Sequence, residues 1–338
     1  MLATLPHNLG MSSVANVTIH ASQFPENVRR DLLESLRTGE VNHKFHYDSL
    51  KQTQKWLALH QAHSPSRTDP DCAAIYDHSF EAVSARIETK KVHVVGLGCG
   101  GGQKDTRLLK LLQKREKEIF YTPSDVSTAM VLVARVAALE VVPEESCHPF
   151  VCDLASAKVL PKVLDDFAPV DATRIITFFG MIPNFEPGII LPKLAAFLRS
   201  KDRLLFSANL APGNDYRAGV RKVLPSYDND LTCDWLMSFL FDLGVEPGNG
   251  EVTFSIEEDR NVPTLKRIAA YFRFNRNVEI KVEEQRFPFG PDKPIRLFFS
   301  YRHTPKIVRS LLGTYGINVV DEWVSKSEEE GVFLCTRK

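Results

Sequence analysis

Apolar residues along this chain follow two different periods. Between residues 25 and 90 they recur three and four apart, over Val28 to Leu36, Asp48 to His60 and Asp71 to Glu88. That is the spacing of amphipathic helices. The break His63-Ser64-Pro65-Ser66-Arg67-Thr68-Asp69-Pro70 predicts a loop, with proline at or near the first turn of the next helix. Beyond residue 91 the pattern becomes short apolar runs separated by helical stretches, predicting strands near 92–96, 119–123, 148–152, 173–179 and 203–209. The unbroken run Arg174 to Phe179 is typical of a parallel strand covered on both faces. Strands alternating with helices predict an α/β fold with a largely parallel sheet.

The later part of the chain reads differently. Ala211 to Pro305 is too long for a simple connection. Helices are predicted over Asp230 to Leu243 and Pro263 to Ala270, and strand-like runs over Arg273 to Gln285 and Ile295 to Arg302. Alternation from Val278 to Glu283 suggests a half-exposed strand. Ile317 to Val324 and Gly331 to Thr336 then form two strands joined by the charged turn Ser325 to Glu330. Residues 1 to about 20 read as a loose tail or an edge strand. The expected organisation is a helical region over 1–90, a sheet domain over 91–211 and 306–338, and an inserted α+β substrate-recognition domain over 212–305.

The most informative stretch joins the first predicted strand to the helix after it. Val92 to Val95 leads into Gly96-Leu97-Gly98-Cys99-Gly100-Gly101-Gly102, and Leu108, Leu109, Leu111 and Leu112 continue at helical spacing. A glycine turn lets a ligand approach the backbone, and the helix N-terminus offers free N–H groups. The spacing fits G-x-G-x-x-G of dinucleotide sites poorly. It fits the shorter G-x-G turn of S-adenosylmethionine (SAM) methyltransferases, although a glycine turn without any ligand would give the same run. The second strand ends at Asp125, placed to bind ribose hydroxyls. Asp153 follows the third strand, where it would face an adenine, although either acid could also serve as a helix cap. The loop after the fourth strand, Gly180 to Pro187, faces the ligand end of the sheet and carries Asn184. A terminal antiparallel hairpin after five parallel strands matches a class I, Rossmann-like methyltransferase sheet rather than a dinucleotide dehydrogenase.

Charge narrows the partners. Lysine plus arginine equals aspartate plus glutamate at 42 each, so no net positive charge favours broad nucleic-acid binding. No run reaches the ~18 apolar residues of a membrane span, and the start of the chain lacks the pattern of a secretory leader. The six cysteines are scattered with no metal spacing, as in a reducing cytoplasm. His43, His46, His60 and His63 cluster, but without a metal-binding motif, and are read as helix and loop residues.

Taken together, several motifs resemble the histidine-specific SAM-dependent methyltransferases, typified by the enzyme that trimethylates the histidine α-amine in ergothioneine synthesis. They are Phe45-His46-Tyr47-Asp48, Pro65-Ser66-Arg67, the glycine loop with Lys104 and Arg107, Pro123 to Ser127, Phe179-Gly180 with Asn184 to Pro187, and Ser226-Tyr227-Asp228. The resemblance spans roughly residues 40 to 338. It implies SAM as cofactor, held by Gly98, Cys99, Gly100, Lys104, Asp125, Asp153, Leu154, Phe179 and Gly180. It also implies that Asn184 and Tyr227 hold the amine and carboxylate of an amino acid, with Tyr47 lining the same cavity.

Three departures matter. The family has an acid where this chain has Gly96, a tyrosine-rich segment where it has His63-Ser64, and a glutamate at Phe298, two residues before the matching Ser300. An imaginary histidine substrate would lose a charged partner at 298, a hydrogen bond worth roughly 1.5–3 kcal/mol. The resemblance therefore implies N-methylation of a small amine or amino-acid-like substrate other than free histidine. A SAM- or nucleoside-binding protein without turnover, and a small-molecule O-methyltransferase, are the alternatives. The expected partner is a small molecule, with no nucleic acid, membrane or metal.

Overall fold

In the computed structural model, residues 14–158 and 160–338 are described; the first part of the expected N-terminal tail lies outside them. The chain opens with a short edge strand, β1 (Thr18–Ile19), and the helices α1 (Pro25–Thr38), α2 (Leu50–His63), α3 (Pro65–Thr68) and α4 (Pro70–Ala85). Local chemistry sets these boundaries. Ser49 and Gln52 form a reciprocal capping box at the start of α2, and Asp69 caps α4 with Pro70 in its first turn.

The sheet region then alternates β2 (Lys91–Leu97), α5 (Gln103–Lys114), β3 (Glu118–Asp125), α6 (Thr128–Ala138), β4 (Phe150–Val151), α7 (Leu160–Asp165), β5 (Thr173–Phe178), α8 (Pro187–Phe197) and β6 (Arg203–Asn209). Two helices follow, α9 (Tyr216–Val223) and α10 (Asp230–Asp242), then β7 (Gly250–Glu258), β8 (Lys266–Phe274), β9 (Val278–Val282), β10 (Gln285–Phe289) and β11 (Ile295–Arg302). The chain ends in α11 (Pro305–Thr314), β12 (Ile317–Val324) and β13 (Glu330–Arg337).

The main sheet has the order β1-β4-β3-β2-β5-β6-β13-β12. Its first six strands are parallel. β13 inserts antiparallel between β6 and β12. This is the class I methyltransferase sheet, with its C-terminal hairpin closing one edge. All six residues of β5 are buried, as its unbroken apolar run requires. One core layer joins Val95, Phe178, Leu191 and Phe206. The other joins Tyr76, Val94, Leu109, Ile175 and Leu334, so helices cover both faces.

The helix predicted over Pro263 to Ala270 is absent. Lys266–Phe274 is instead the central strand of a three-stranded antiparallel sheet, β11-β8-β7. Ile268, Ala269 and Ala270 are all buried, because strands pair on both sides and packing covers both faces. Leu265, Ile268 and Ala269 mimic helical spacing, and this tertiary pairing overrides it. The Asp259 carboxylate accepts N–H bonds from Asn261 and Val262, turning the chain into β8. The strand-like run predicted from Arg273 to Gln285 is likewise interrupted, with β8 ending at Phe274 and β9 beginning at Val278. Leu36, Phe45, Trp235, Phe239, Phe272 and Phe298 share one core, which packs the N-terminal segment and α10 against the smaller sheet. Among the described residues, no helix is long and apolar enough to cross a membrane.

At the start of β5, Arg174 is buried and donates to Asp202 Oδ2 through Nε at 2.8 Å and Nη2 at 2.6 Å. Asp202→Ala would remove its buried partner and leave only the exposed Asp165, 3.2 Å from Nη1. We expect a loss of about 3 kcal/mol in urea unfolding, largely recovered when Arg174→Met is added.

Candidate functional site

The carboxyl ends of the parallel strands open into a cavity of about 670 Å³. Leu97, Asp125, Cys152, Thr177 and Asn209 mark the strand ends on its wall. Trp56, Leu59 and His60 reach it from α2, and Phe298, Phe299 and Arg302 reach it from β11.

The glycine loop shapes the floor. Gly98, Gly100 and Gly102 all have positive φ. A Cβ at Gly98 would collide with the Met181 side chain, and one at Gly102 would lie 2.8 Å from Ala134 Cα. The loop therefore needs glycine both for its turn and for close approach. Cys99 N–H donates to Ser124 O at 2.9 Å, and Gly100 N–H to Asp125 Oδ2 at 3.0 Å. Asp125 Oδ1 accepts from Ser127 N–H at 3.0 Å. Burial raises the Asp125 carboxyl above its usual range, and these N–H bonds oppose that shift. Burial and the nearby Asp125 and Asp105 charges hold the Cys99 thiol well up, so it remains protonated.

Asp153 Oδ1 accepts from Ala155 N–H at 2.9 Å, and its Oδ2 accepts from Ser156 Oγ at 2.9 Å. Lys44 lies 3.8 Å away. Lys104 Nζ donates to Tyr76 Oη at 2.9 Å and lies 3.9 Å from Glu330. It also sits 4.1 Å above the Tyr76 ring and 5.8 Å from that of Phe179.

Position 96 has a structural explanation. A Cβ at Gly96 would run into the carboxylate of Asp105, which comes from the first turn of α5. Asp105 lines the cavity and is buried. It accepts from Tyr121 Oη and Thr177 Oγ1, each at 2.8 Å. Burial pushes its carboxyl up to about 6. This chain thus carries an acid beside the loop, delivered from the helix instead of the strand.

The opposite wall is aromatic. Phe298 lies 5.6 Å from the Trp235 ring, 5.1 Å from His43 and 6.3 Å from Tyr227, measured between ring centroids. Tyr47 packs against Trp56 and Trp235. Burial, then the Asp125 charge, holds the Tyr47 hydroxyl far above its usual range, so it stays protonated and does not act as a base. Asn184 Nδ2 donates to Phe299 O at 2.8 Å, tying the loop after β5 to β11. The Tyr227 hydroxyl lies 2.8 Å from Ser300 Oγ and accepts from Arg302 Nη2 at 2.8 Å. Burial lowers His46 to about 4 and His60 to about 3, so both rings are neutral. Among the described residues, no group of three or more His, Cys, Asp or Glu side chains could hold a metal ion.

Tyr47, Gly98, Cys99, Gly100, Lys104, Asp125, Asp153, Leu154, Phe179, Gly180, Asn184, Tyr227 and Phe298 all line this one cavity. Ser300 does not line it; the serine lies behind Tyr227 and bonds its hydroxyl. Sequence reasoning passed over Asp105, Trp56 and Arg302, which also line it. Asp105 directly follows Lys104, and Arg302 shares the strand alternation of Phe298 and Ser300, so both carried a readable signal.

Residues 28–337 match the family described as histidine-specific methyltransferase, SAM-dependent. No curated protein matches the chain. Similar solved structures include magnesium protoporphyrin IX methyltransferase from Synechocystis PCC 6803, 12% identical, with 86% of this chain and 95% of that chain covered at a TM-score of 0.44. Another is 1,6-didemethyltoxoflavin-N1-methyltransferase from Burkholderia thailandensis, 10% identical, with 85% and 86% covered at a TM-score of 0.43. With nearly its whole length matched by one family, the chain belongs to the histidine-specific, SAM-dependent methyltransferases, and SAM is its cofactor.

Proposed function

We propose that this enzyme methylates the nitrogen of a small amine or amino-acid-like substrate other than free histidine. The observation that carries the reading is the wall at Phe298. Phe298, Phe299, Trp235 and Tyr47 make that end of the cavity apolar. Glu186, an acid that lines the cavity, is engaged by Arg267 at 3.0 Å and by the Tyr301 hydroxyl at 2.7 Å. An imidazole placed there would lose its water without gaining a charged partner.

The cofactor side suits SAM. Glycine backbone without side chains lines the floor, and Asp125 is fixed by two N–H bonds with lone pairs to spare for a ribose diol. Asp153 and Leu154 would border the adenine, and Lys104, Phe179 and Gly180 would complete the cradle. SAM supplies an electrophilic methyl group on a sulfonium centre. The protein's task is alignment: Asn184 and Tyr227 would hold the acceptor so that its nitrogen lone pair faces that methyl group, with Tyr47 closing the cavity. The incoming amine has to be unprotonated, and water can take the proton released.

Calorimetric titration tests the cofactor half, with NADH as control. SAM should bind at micromolar level and NADH should not; Asp125→Ala should abolish SAM binding, and Gly98→Val should do the same through its clash with Met181. No SAM binding by the folded wild-type protein would refute this reading. Transfer of labelled methyl groups to a panel of amines tests the acceptor half. Free histidine should be among the poorer acceptors, and Phe298→Glu should improve it by about tenfold, equivalent to 1.4 kcal/mol. Efficient methylation of histidine by the wild type would overturn the substrate assignment.

A pH series adds a third check. The Asp105 carboxyl titrates at about 6, above its ordinary value. SAM carries positive charge, so the ionised carboxylate favours it. Affinity should rise with pH through about 6 and become nearly flat in Asp105→Asn.

A further inference from the structure

Five lysine and arginine side chains are buried among the described residues: Lys44, Arg135, Arg174, Arg267 and Arg302. Four of them have an acid beside them. Lys44 meets Asp31 at 2.6 Å, Arg135 meets Glu144, Arg174 meets Asp202 at 2.6 Å, and Arg267 meets Glu186 at 3.0 Å. Arg302 is the exception: it is 6% exposed, and no Asp or Glu among the described residues pairs with it within 4.0 Å.

Its neutral contacts do not use up its donors. The guanidinium gives one bond to Leu210 O at 3.2 Å and one to the Tyr227 hydroxyl at 2.8 Å. Nε is buried without a partner. A guanidinium has five N–H groups in a planar fork suited to a carboxylate. Burying such a cation without a counter-charge is costly, so a missing anion is the simplest account of the site.

Position says where the anion comes from. Arg302 lines the cavity together with Tyr227, Asn184 and Phe298. Beyond the irregularity between Arg296 and Phe298, β11 runs in regular register. Phe298, Ser300 and Arg302 therefore fall on the same face of the strand. The Tyr227 ring lies between the two ends, 6.3 Å from the Phe298 ring and 5.2 Å from the Arg302 guanidinium carbon. One face thus runs from an apolar end to a cationic end.

We infer that Arg302 binds the carboxylate of the methyl acceptor, so the substrate is an α-amino acid with an apolar or aromatic side chain directed towards Phe298. This rests on the acceptor reading above and narrows it from small amines and amino-acid-like compounds. Ser300 acts through Tyr227, holding the phenol beside the guanidinium.

The test uses the full chain with three matched pairs: L-phenylalanine and phenethylamine, L-tyrosine and tyramine, L-tryptophan and tryptamine. Each is titrated calorimetrically, with a parallel titration of SAM. In the wild type, at least one amino acid should bind about tenfold more tightly than its decarboxylated partner. Arg302→Gln should reduce that ratio to near one, Arg302→Lys should keep part of it, and both should leave the SAM dissociation constant within about twofold. The ligand-free Arg302→Met protein should melt no lower than wild type, because the lone cation is a burden until its anion arrives. A purely structural arginine would give a lower melting temperature and an unchanged ratio, which would overturn the assignment. Equal affinity within every pair would also overturn it. Weaker SAM binding in Arg302→Gln would give the site to the methionine carboxylate of the cofactor instead. Failure of the wild type to bind SAM would count against the function reading, separately from this one.

Discussion

Everything at the ligand end of the sheet depends on one carboxylate receiving two backbone N–H groups. Asp125, at the end of β3, ties down Gly100 in the loop after β2 and Ser127 at the head of α6. A short side chain thus fixes the separation of two neighbouring strand ends. Because Gly98 and Gly102 allow no side chain, the loop can settle against Met181 and Ala134 while that tie holds. Ser127 carries the link outward, its hydroxyl 3.1 Å from Thr53 on α2. Lys44, between Asp31 and Asp153, makes a second connection from the N-terminal segment to the strand ends. The preface of helices is therefore bonded to the cavity floor by side chains as well as packed near it.

The main sheet was readable because a buried parallel strand must be apolar at nearly every position. β2, β5 and β6 stand out for that reason. The same logic fails in the smaller sheet. Residues around β8 have apolar spacing that suits a helix, and only pairing with β7 and β11 on both sides makes them a strand. Such pairing is fixed by partners far along the chain and leaves little local signal.

The site divides in the same way. The glycine loop, Asp125 and Asp153 belong to consecutive strand ends, so their order along the chain mirrors their order in space. The aromatic wall is assembled from distant segments: Arg302 meets Tyr227 across 75 residues, and Asn184 meets Phe299 across 115. Motif resemblance singled out Asn184, Tyr227 and Phe298, which line the cavity, but no local rule reveals that Arg302 lacks an acid. That becomes visible only when the partners of every buried cation are known. Asp105 was hidden for a related reason. Its carboxylate occupies the room left empty at Gly96, nine positions earlier, a substitution in space rather than in sequence.

The placement of Phe298, Ser300 and Arg302 on one strand has an evolutionary corollary. The strand ends that carry the glycine-loop floor and the strand that carries the aromatic wall belong to different sheets. A lineage could exchange alternate residues of β11 and acquire a new acceptor while its methyl-donor machinery stayed intact. Diversity among such enzymes would then accumulate as a short two-residue rhythm on a single strand, set against a nearly unchanging glycine loop.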